Sequence, residues 1–201
     1  MSEFVIVDDF EKFKIAFLKQ NAILNLISKN EEKFLYEKHI YDSLAIKLFF
    51  DSYKIDSGAL LDIGTGGGFP AIPIAIEYPN IKVTALDSIK KKINAIENIK
   101  NELGLDNVIP LCGRAENIKY NKFDIIYSRA VASLEVLLKY AVPLLVKGGY
   151  FVAYKSKKSE DELSDAQSLL DKLSLKYVDC IDYTLPLDEV YERKLMIFKK
   201  S

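Results

Sequence analysis

The spacing of apolar residues changes character once along the chain, near residue 56. Before that point the repeat is helical. Phe10, Phe13, Phe17, Ile23 and Leu24 recur at helical spacings, and Phe34, Leu35, Ile40, Leu44 and Leu48 fall near one face of EEKFLYEKHIYDSLAIKLFF. Asp56-Ser57-Gly58 is a turn signal. Beyond it, short apolar runs alternate with amphipathic stretches. ALLDIG (59–64), KVTALD (82–87), VIPLCG (108–113), FDIIYSRA (123–130) and YFVAYK (150–155) read as buried strands, and YVDCIDYTL and KLMIFKK as a final pair. FPAIPIAIEY (69–78), IKKKINAIENIKNELG (89–104), LEVLLKYAVPLLVKGG (134–149) and EDELSDAQSLLDKLS (160–174) read as helices. The alternation predicts an α/β fold, a mostly parallel seven-stranded sheet with helices on both faces. Residues 1–56 are expected to form a helical extension packed on its side, and residues 57–201 the α/β domain.

Composition narrows the class. The chain has 201 residues, 49% of them hydrophobic, which is enough for one domain with a real core. The net charge of −1 gives no overall basic field, so any contact with nucleic acid must rest on a local patch. The two cysteines, Cys112 and Cys180, lie far apart with no CxxC spacing, so they are expected as buried free thiols, with no metal site. MSEFVIVDDFEKFK is acidic and mixed and does not read as a signal peptide. No apolar run approaches the roughly 20 residues that span a bilayer. A cytoplasmic protein without a membrane partner is expected.

The chemistry concentrates in DIGTGGGFPAIP (62–73). The first strand runs directly into GTGGG, at the strand end where open α/β sheets bind ligands. Pro70 and Pro73 suit a first helical turn. The dinucleotide fingerprint G-x-G-x-x-G fails in both registers, meeting Phe69 or Ala71 where its third glycine should stand. No lysine follows, which excludes a Walker A loop. What remains is D-x-G-x-G-x-G, the first motif of class I methyltransferases. The next strand ends at Asp87, where a carboxylate can accept hydrogen bonds from two ribose hydroxyls, a feature common to NAD and S-adenosylmethionine. Asp87 or Ser88 would equally serve as a helix cap. Asp62 is placed to orient a ligand ammonium.

Taken in order, these segments resemble the bacterial ribosomal RNA small-subunit methyltransferase G family, also called glucose-inhibited division protein B. NLIS (25–28), HIYDSL (39–44), DIGTGGGFPAIP, LDS (86–88), GRAE (113–116), SRAVASL (128–134), YKS and ERKLMI (192–197) carry the likeness across nearly the whole chain. Ile27 stands where the family usually has Thr, and Ala71 and Ser156 where it usually has Gly. The resemblance implies a class I, Rossmann-like fold, S-adenosyl-L-methionine as cofactor, and methylation of N7 of a guanine in 16S ribosomal RNA. The partner it implies is the small ribosomal subunit or an assembly intermediate, met by a monomer. It places Gly64, Gly66 and Gly68 along the methionine part of the cofactor, Phe69 near the ligand, and Asp87 on the ribose. Ala115 and Glu116 would flank the adenine, and Arg129 would lie beside the transferred methyl.

Guanine N7 carries an in-plane lone pair and needs no deprotonation, so no general base is required. There is no [DN]-P-P-[YF] motif for exocyclic amines, and neither cysteine sits after proline. Arg129, His39, Lys155 and Arg193 are the candidates for positioning substrate, with Asp42 placed to orient His39. Lys90, Lys91, Lys92, Arg114, Lys157 and Lys158 are further candidate RNA contacts, and Tyr127 and Tyr154 candidate stacking platforms. The alternatives are a methyltransferase for a small molecule or protein, and a non-catalytic adenosine-binding or NAD-linked module.

Overall fold

A computed structural model describes residues 8–119, 122–129, 132–156 and 160–201. Its centre is one seven-stranded sheet. The strands are β1 (Ala59–Ile63), β2 (Lys82–Asp87), β3 (Val108–Cys112), β4 (Phe123–Arg129), β5 (Leu145–Ser156), β6 (Leu175–Leu185) and β7 (Tyr191–Lys200). They lie in the order β3-β2-β1-β4-β5-β7-β6. β1 to β5 pair in parallel, and β7 runs antiparallel between β5 and β6. The chain moves outward from β1 to β3, then crosses back to place β4 on the other side of β1. That reversal opens a crevice at the carboxyl ends of β1 and β4, where ligands of open α/β sheets bind.

The sheet is buried on both faces because successive side chains alternate. Leu60 turns to a core it shares with Val83, Ile125 and Val152, while Leu61 turns to one with Ile126, Phe151 and Leu138. The first face is covered by α1 (Asp8–Leu24), α4 (Ile46–Tyr53), α5 (Ala71–Glu77) and α6 (Lys90–Leu103). The second is covered by α7 (Leu134–Ala141) and α8 (Glu160–Lys172). Helix α6 shows the logic locally: Ile93, Ile96 and Ile99 are buried, and Gly104 closes the helix at φ 67°.

The N-terminal helices share this core. Phe13 and Phe17 of α1 pack on Phe69, with ring centroids 5.5 and 5.0 Å away. Between α1 and α4 the chain forms α2 (Lys29–Glu32), a π-helix (Leu35–Ile40) and α3 (Tyr41–Leu44). The sequence predicts a regular helix here. A π-helix replaces its middle; Leu35, Ile40 and Leu44 stay buried, but Leu48, expected on the same face, is 40% exposed. Ile23, also expected inside, is 73% exposed near the end of α1.

Two further expectations are corrected. The helix predicted over 134–149 ends at Ala141; a 3-10 turn holding Pro143 follows, and β5 starts at Leu145. Gly148 and Gly149 therefore lie within a strand. A Cβ on Gly149 would meet the Asp124 carbonyl at 2.9 Å, so this glycine allows two strands to approach closely. Neither thiol is buried: Cys112 is exposed at the end of β3, and Cys180 is half-buried. Among the described residues, no helix is long and apolar enough to cross a membrane, and no group of acidic, Cys and His residues could hold a metal.

Candidate functional site

A cavity of about 760 Å³ opens at the carboxyl edge of β1 to β4. One wall is backbone-rich: Gly64 to Gly67 after β1, Asp87 at the end of β2, and Gly113 to Glu116 after β3. The opposite wall comes from the N-terminal helices, through Leu26, Ile27, Glu31, Lys38 and His39. Phe69 and Arg129 lie between them, and Arg193 closes the side toward β7.

The glycine turn is built around Asp87. Its Oδ2 accepts from the Gly66 N–H at 3.0 Å and its Oδ1 from the Ile89 N–H at 2.9 Å. Lys92 Nζ stands 3.9 Å away. Asp87 thus joins the end of β2, the glycine turn and the start of α6 while still lining the cavity. Gly66 holds φ 60°, which lets that N–H face the carboxylate.

Asp62 does not reach the cavity. It is fully buried beneath the turn, where its Oδ2 accepts from the Ala71 N–H at 3.2 Å and its Oδ1 has no partner. Burial pushes its carboxyl up to about 8, against the opposing influence of Thr65 and the Ala71 N–H. It is therefore largely neutral at pH 7, and the expectation that it orients an ammonium is corrected.

Gly64, Gly66, Phe69, Asp87, Ala115, Glu116, Arg129, His39 and Arg193 all line the cavity, as do Lys92 and Arg114. Gly68 does not; it faces α5 at φ 95°. A Cβ there would lie 2.6 Å from Ile72 Cδ1. Gly68→Ala is expected to lower stability by about 1–3 kcal/mol through strain and overpacking. Denaturant unfolding checks this, and an unchanged midpoint would contradict it. Lys155 lies outside the cavity, its Nζ 2.6 Å from Glu162 Oε2. Tyr127 and Tyr154 are buried core residues rather than stacking platforms, and the Tyr154 hydroxyl donates to the Ser43 carbonyl. Lys90 and Lys91 are exposed but not in the cavity wall. Lys157 and Lys158 lie outside the described residues.

The floor holds a charged cluster that the sequence did not reveal as a unit. Asp42, 2% exposed, accepts from Tyr183 Oη at 2.6 Å, Arg129 Nη1 at 3.0 Å, and Arg193 Nε and Nη2 at 3.1 Å each. Arg129 also donates to the Lys38 carbonyl and meets His39 Nδ1 at 3.2 Å. Its guanidinium lies 5.5 Å from the Phe69 ring centroid. Asp42, expected to orient His39, instead holds the two arginines; Arg129 is the group that orients His39. Burial, followed by the Arg129 charge, holds the His39 imidazole down at about 4, with Glu31, Asp42 and Lys38 also facing it.

This lowered value has a testable consequence. Between pH 6.5 and 4 the unfolded chain protonates this histidine and the native protein does not, so stability is present above pH 6.5 and lost on acidification. Relative to His39→Gln, the wild type is expected to lose up to about 2 kcal/mol more between pH 7 and pH 5. Urea titrations at the two pH values measure this, and parallel losses would refute it.

A model of the family described as rRNA small subunit methyltransferase G matches residues 6–184. The Lactobacillus helveticus ribosomal RNA small subunit methyltransferase G is 41% identical, over 98% of this chain and 85% of its own length. The chain belongs to the rRNA small subunit methyltransferase G family. The Staphylococcus saprophyticus enzyme of the same name is 39% identical over 96% of this chain and 81% of its own. Among solved structures, a Pyrococcus furiosus methyltransferase superposes with a TM-score of 0.63 at 20% identity, over 96% of this chain and 98% of that one. M. jannaschii TYW2 in complex with AdoMet gives 0.60 at 16%, over 73% and 70%. These neighbours share the class I methyltransferase fold. Glu31, a wall residue that no ligand motif marks, is signalled in the sequence by the capping box Ser28-x-x-Glu31, formed here with Ser28 N and Oγ on Glu31 Oε2.

Proposed function

We propose that the protein is an S-adenosylmethionine-dependent enzyme that methylates N7 of a guanine in 16S ribosomal RNA, acting as a cytoplasmic monomer on the small subunit or its precursor. Membership of the rRNA small subunit methyltransferase G family along residues 6–184 carries this reading.

The residues present suit the cofactor. The turn at Gly64 to Gly67 presents backbone without side chains, and Asp87 borders it with a carboxylate for a ribose diol. No phosphate-binding lysine is needed, because this cofactor has no phosphate. The cavity volume falls within the roughly 300–1,000 Å³ of small-molecule sites, leaving a second wall for a base. Gly64 and Gly66 would line the methionine part, Ala115 and Glu116 the adenine, and Phe69 and Arg129 the junction with substrate. Bound there, the cofactor supplies an electrophilic methyl group.

The protein's task is then alignment, because guanine N7 is already nucleophilic. His39 is held neutral with Nδ1 facing Arg129, which suits an ordering role and not proton abstraction. Arg129 and Arg193 leave one net positive charge around Asp42, suited to a backbone phosphate beside the target base. Residues 1–56 act in this reading as the substrate-side wall, and residues 57–201 as the cofactor domain.

The test is to map N7-methylguanine in 16S RNA with and without the gene, and with purified protein and small subunits. Methylation is expected to fall steeply with salt. A 16S RNA unchanged by loss of the gene would sink the proposal, as would salt-independent methylation of a small molecule.

A further inference from the structure

The wall formed by the N-terminal helices carries one hydrogen-bond donor and one acceptor that the protein leaves unused. Arg129 can only donate, so its contact with His39 Nδ1 at 3.2 Å makes that nitrogen the acceptor. The imidazole proton therefore sits on Nε2, which is buried and without a hydrogen-bond partner. The nearest carboxylate oxygen is Glu31 Oε1, at 3.9 Å. That is too long for a hydrogen bond between them. The other Glu31 oxygen is fixed by the Ser28 N–H and hydroxyl, so the free oxygen has a set position. Burial works to raise the Glu31 carboxyl, but Ser28, His39 and Lys38 outweigh it and the group lies below its ordinary value. The His39 ring is held from behind by Phe69, with centroids 5.2 Å apart.

A buried N–H without a partner and a partly exposed carboxylate oxygen, side by side, form a complementary pair. Their ligand should carry an acceptor and a donor on adjacent atoms. Guanine does: O6 accepts, and the neighbouring N1–H donates. Adenine presents the reverse at both positions, an amino group at C6 and a bare N1. The protein would then set donor against donor and acceptor against acceptor, leaving the buried His39 N–H unpaired.

We propose that Glu31 and His39 are the residues that select guanine, His39 Nε2–H donating to O6 and Glu31 Oε1 accepting from N1–H. Both contacts lie on the pyrimidine-ring edge, so N7 stays open toward the cofactor wall. An unstacked base is read on its Watson–Crick edge by such pairs in single-stranded RNA recognition. The assignment rests on the guanine-N7 reading given above.

The test uses reconstituted small subunits with one of three bases at the methylated position. Hypoxanthine keeps O6 and N1–H but lacks the 2-amino group. 2-Aminopurine keeps N7 but lacks both groups. The wild type is expected to methylate guanine and hypoxanthine within about tenfold of each other, and 2-aminopurine about 100-fold or more slowly. Glu31→Gln retains the capping box and should slow transfer to guanine by about tenfold to a hundredfold. His39→Ala should do the same. On 2-aminopurine each variant should change the rate by no more than about twofold, because the contact is already gone. S-Adenosylmethionine affinity should be unchanged in Glu31→Gln. Equal losses on both bases would overturn the proposal, and so would hypoxanthine behaving like 2-aminopurine. Absence of any N7 transfer by the wild type would instead overturn the underlying functional reading.

Discussion

Asp42→Ala is expected to lower folding stability by about 3–5 kcal/mol and to reduce RNA methylation by at least about 100-fold. The carboxylate joins four elements: it sits on α3 and takes donors from β4, β6 and β7. The Arg129 and Arg193 side chains are only 13% and 15% exposed. Without Asp42 they become two neighbouring buried cations with no counter-charge. Burial alone would lower the Arg193 pKa, but Asp42 and Tyr183 together more than offset this, and the guanidinium lies above its ordinary value. The loss comes mainly from the uncompensated charge. Adding Arg193→Met to Asp42→Ala should therefore recover part of the stability, while activity stays low. Urea unfolding of the single and double variants reads this directly. A single variant within about 1 kcal/mol of wild type would show that the cluster contributes little.

The fold was legible because its strands alternate against two buried faces. Leu60 and Leu61 are adjacent and enter different cores, which requires a covered sheet. The order of elements then allowed few topologies. The errors fall where one local signal outweighed another. Gly148 and Gly149, at the end of LEVLLKYAVPLLVKGG, suggest a helix end because glycine often closes helices. The stop comes earlier, at the proline turn; Gly149 serves the close packing of β5 against β4, while Gly148 takes up a φ of 78° in open space. The π-helix has no sequence signature comparable to a cap or a glycine, so the interruption of the 31–50 helix was invisible.

The site divides in the same way. Gly64, Gly66, Asp87, Ala115, Glu116 and Arg129 lie at or just after strand ends, and topology alone brings strand ends of a parallel sheet to one edge. Gly68 and Asp62 belong to the same motif but support the turn from behind. The motif fixes which residues are small or acidic, not which side they face. Asp42 shows the other limit. Its partners lie 87, 141 and 151 residues away, so only the folded chain reveals that it is a hub and not a partner of the nearby His39.

The behaviour of Asp87 follows from its double attachment. Asp87→Ala is expected to raise the dissociation constant for S-adenosylmethionine by about 100-fold to 10,000-fold. Two ribose hydroxyls bonded to a carboxylate contribute roughly 1.5–3 kcal/mol each. The side chain also holds the Gly66 N–H at 3.0 Å, so its loss frees the turn that should lie against the methionine part. Asp87→Asn keeps an acceptor for one N–H and lacks the charge, and its affinity should fall between wild type and alanine. Its effect on transfer at saturating cofactor should be small, because the ribose contact is the same before and during methyl transfer. Calorimetric titration of the three proteins gives the affinities, and single-turnover assays on small subunits give the rates. If Asp87→Ala bound within about threefold of wild type, the carboxylate would be only a brace between β2, the glycine turn and α6, and the ribose would have to be held elsewhere.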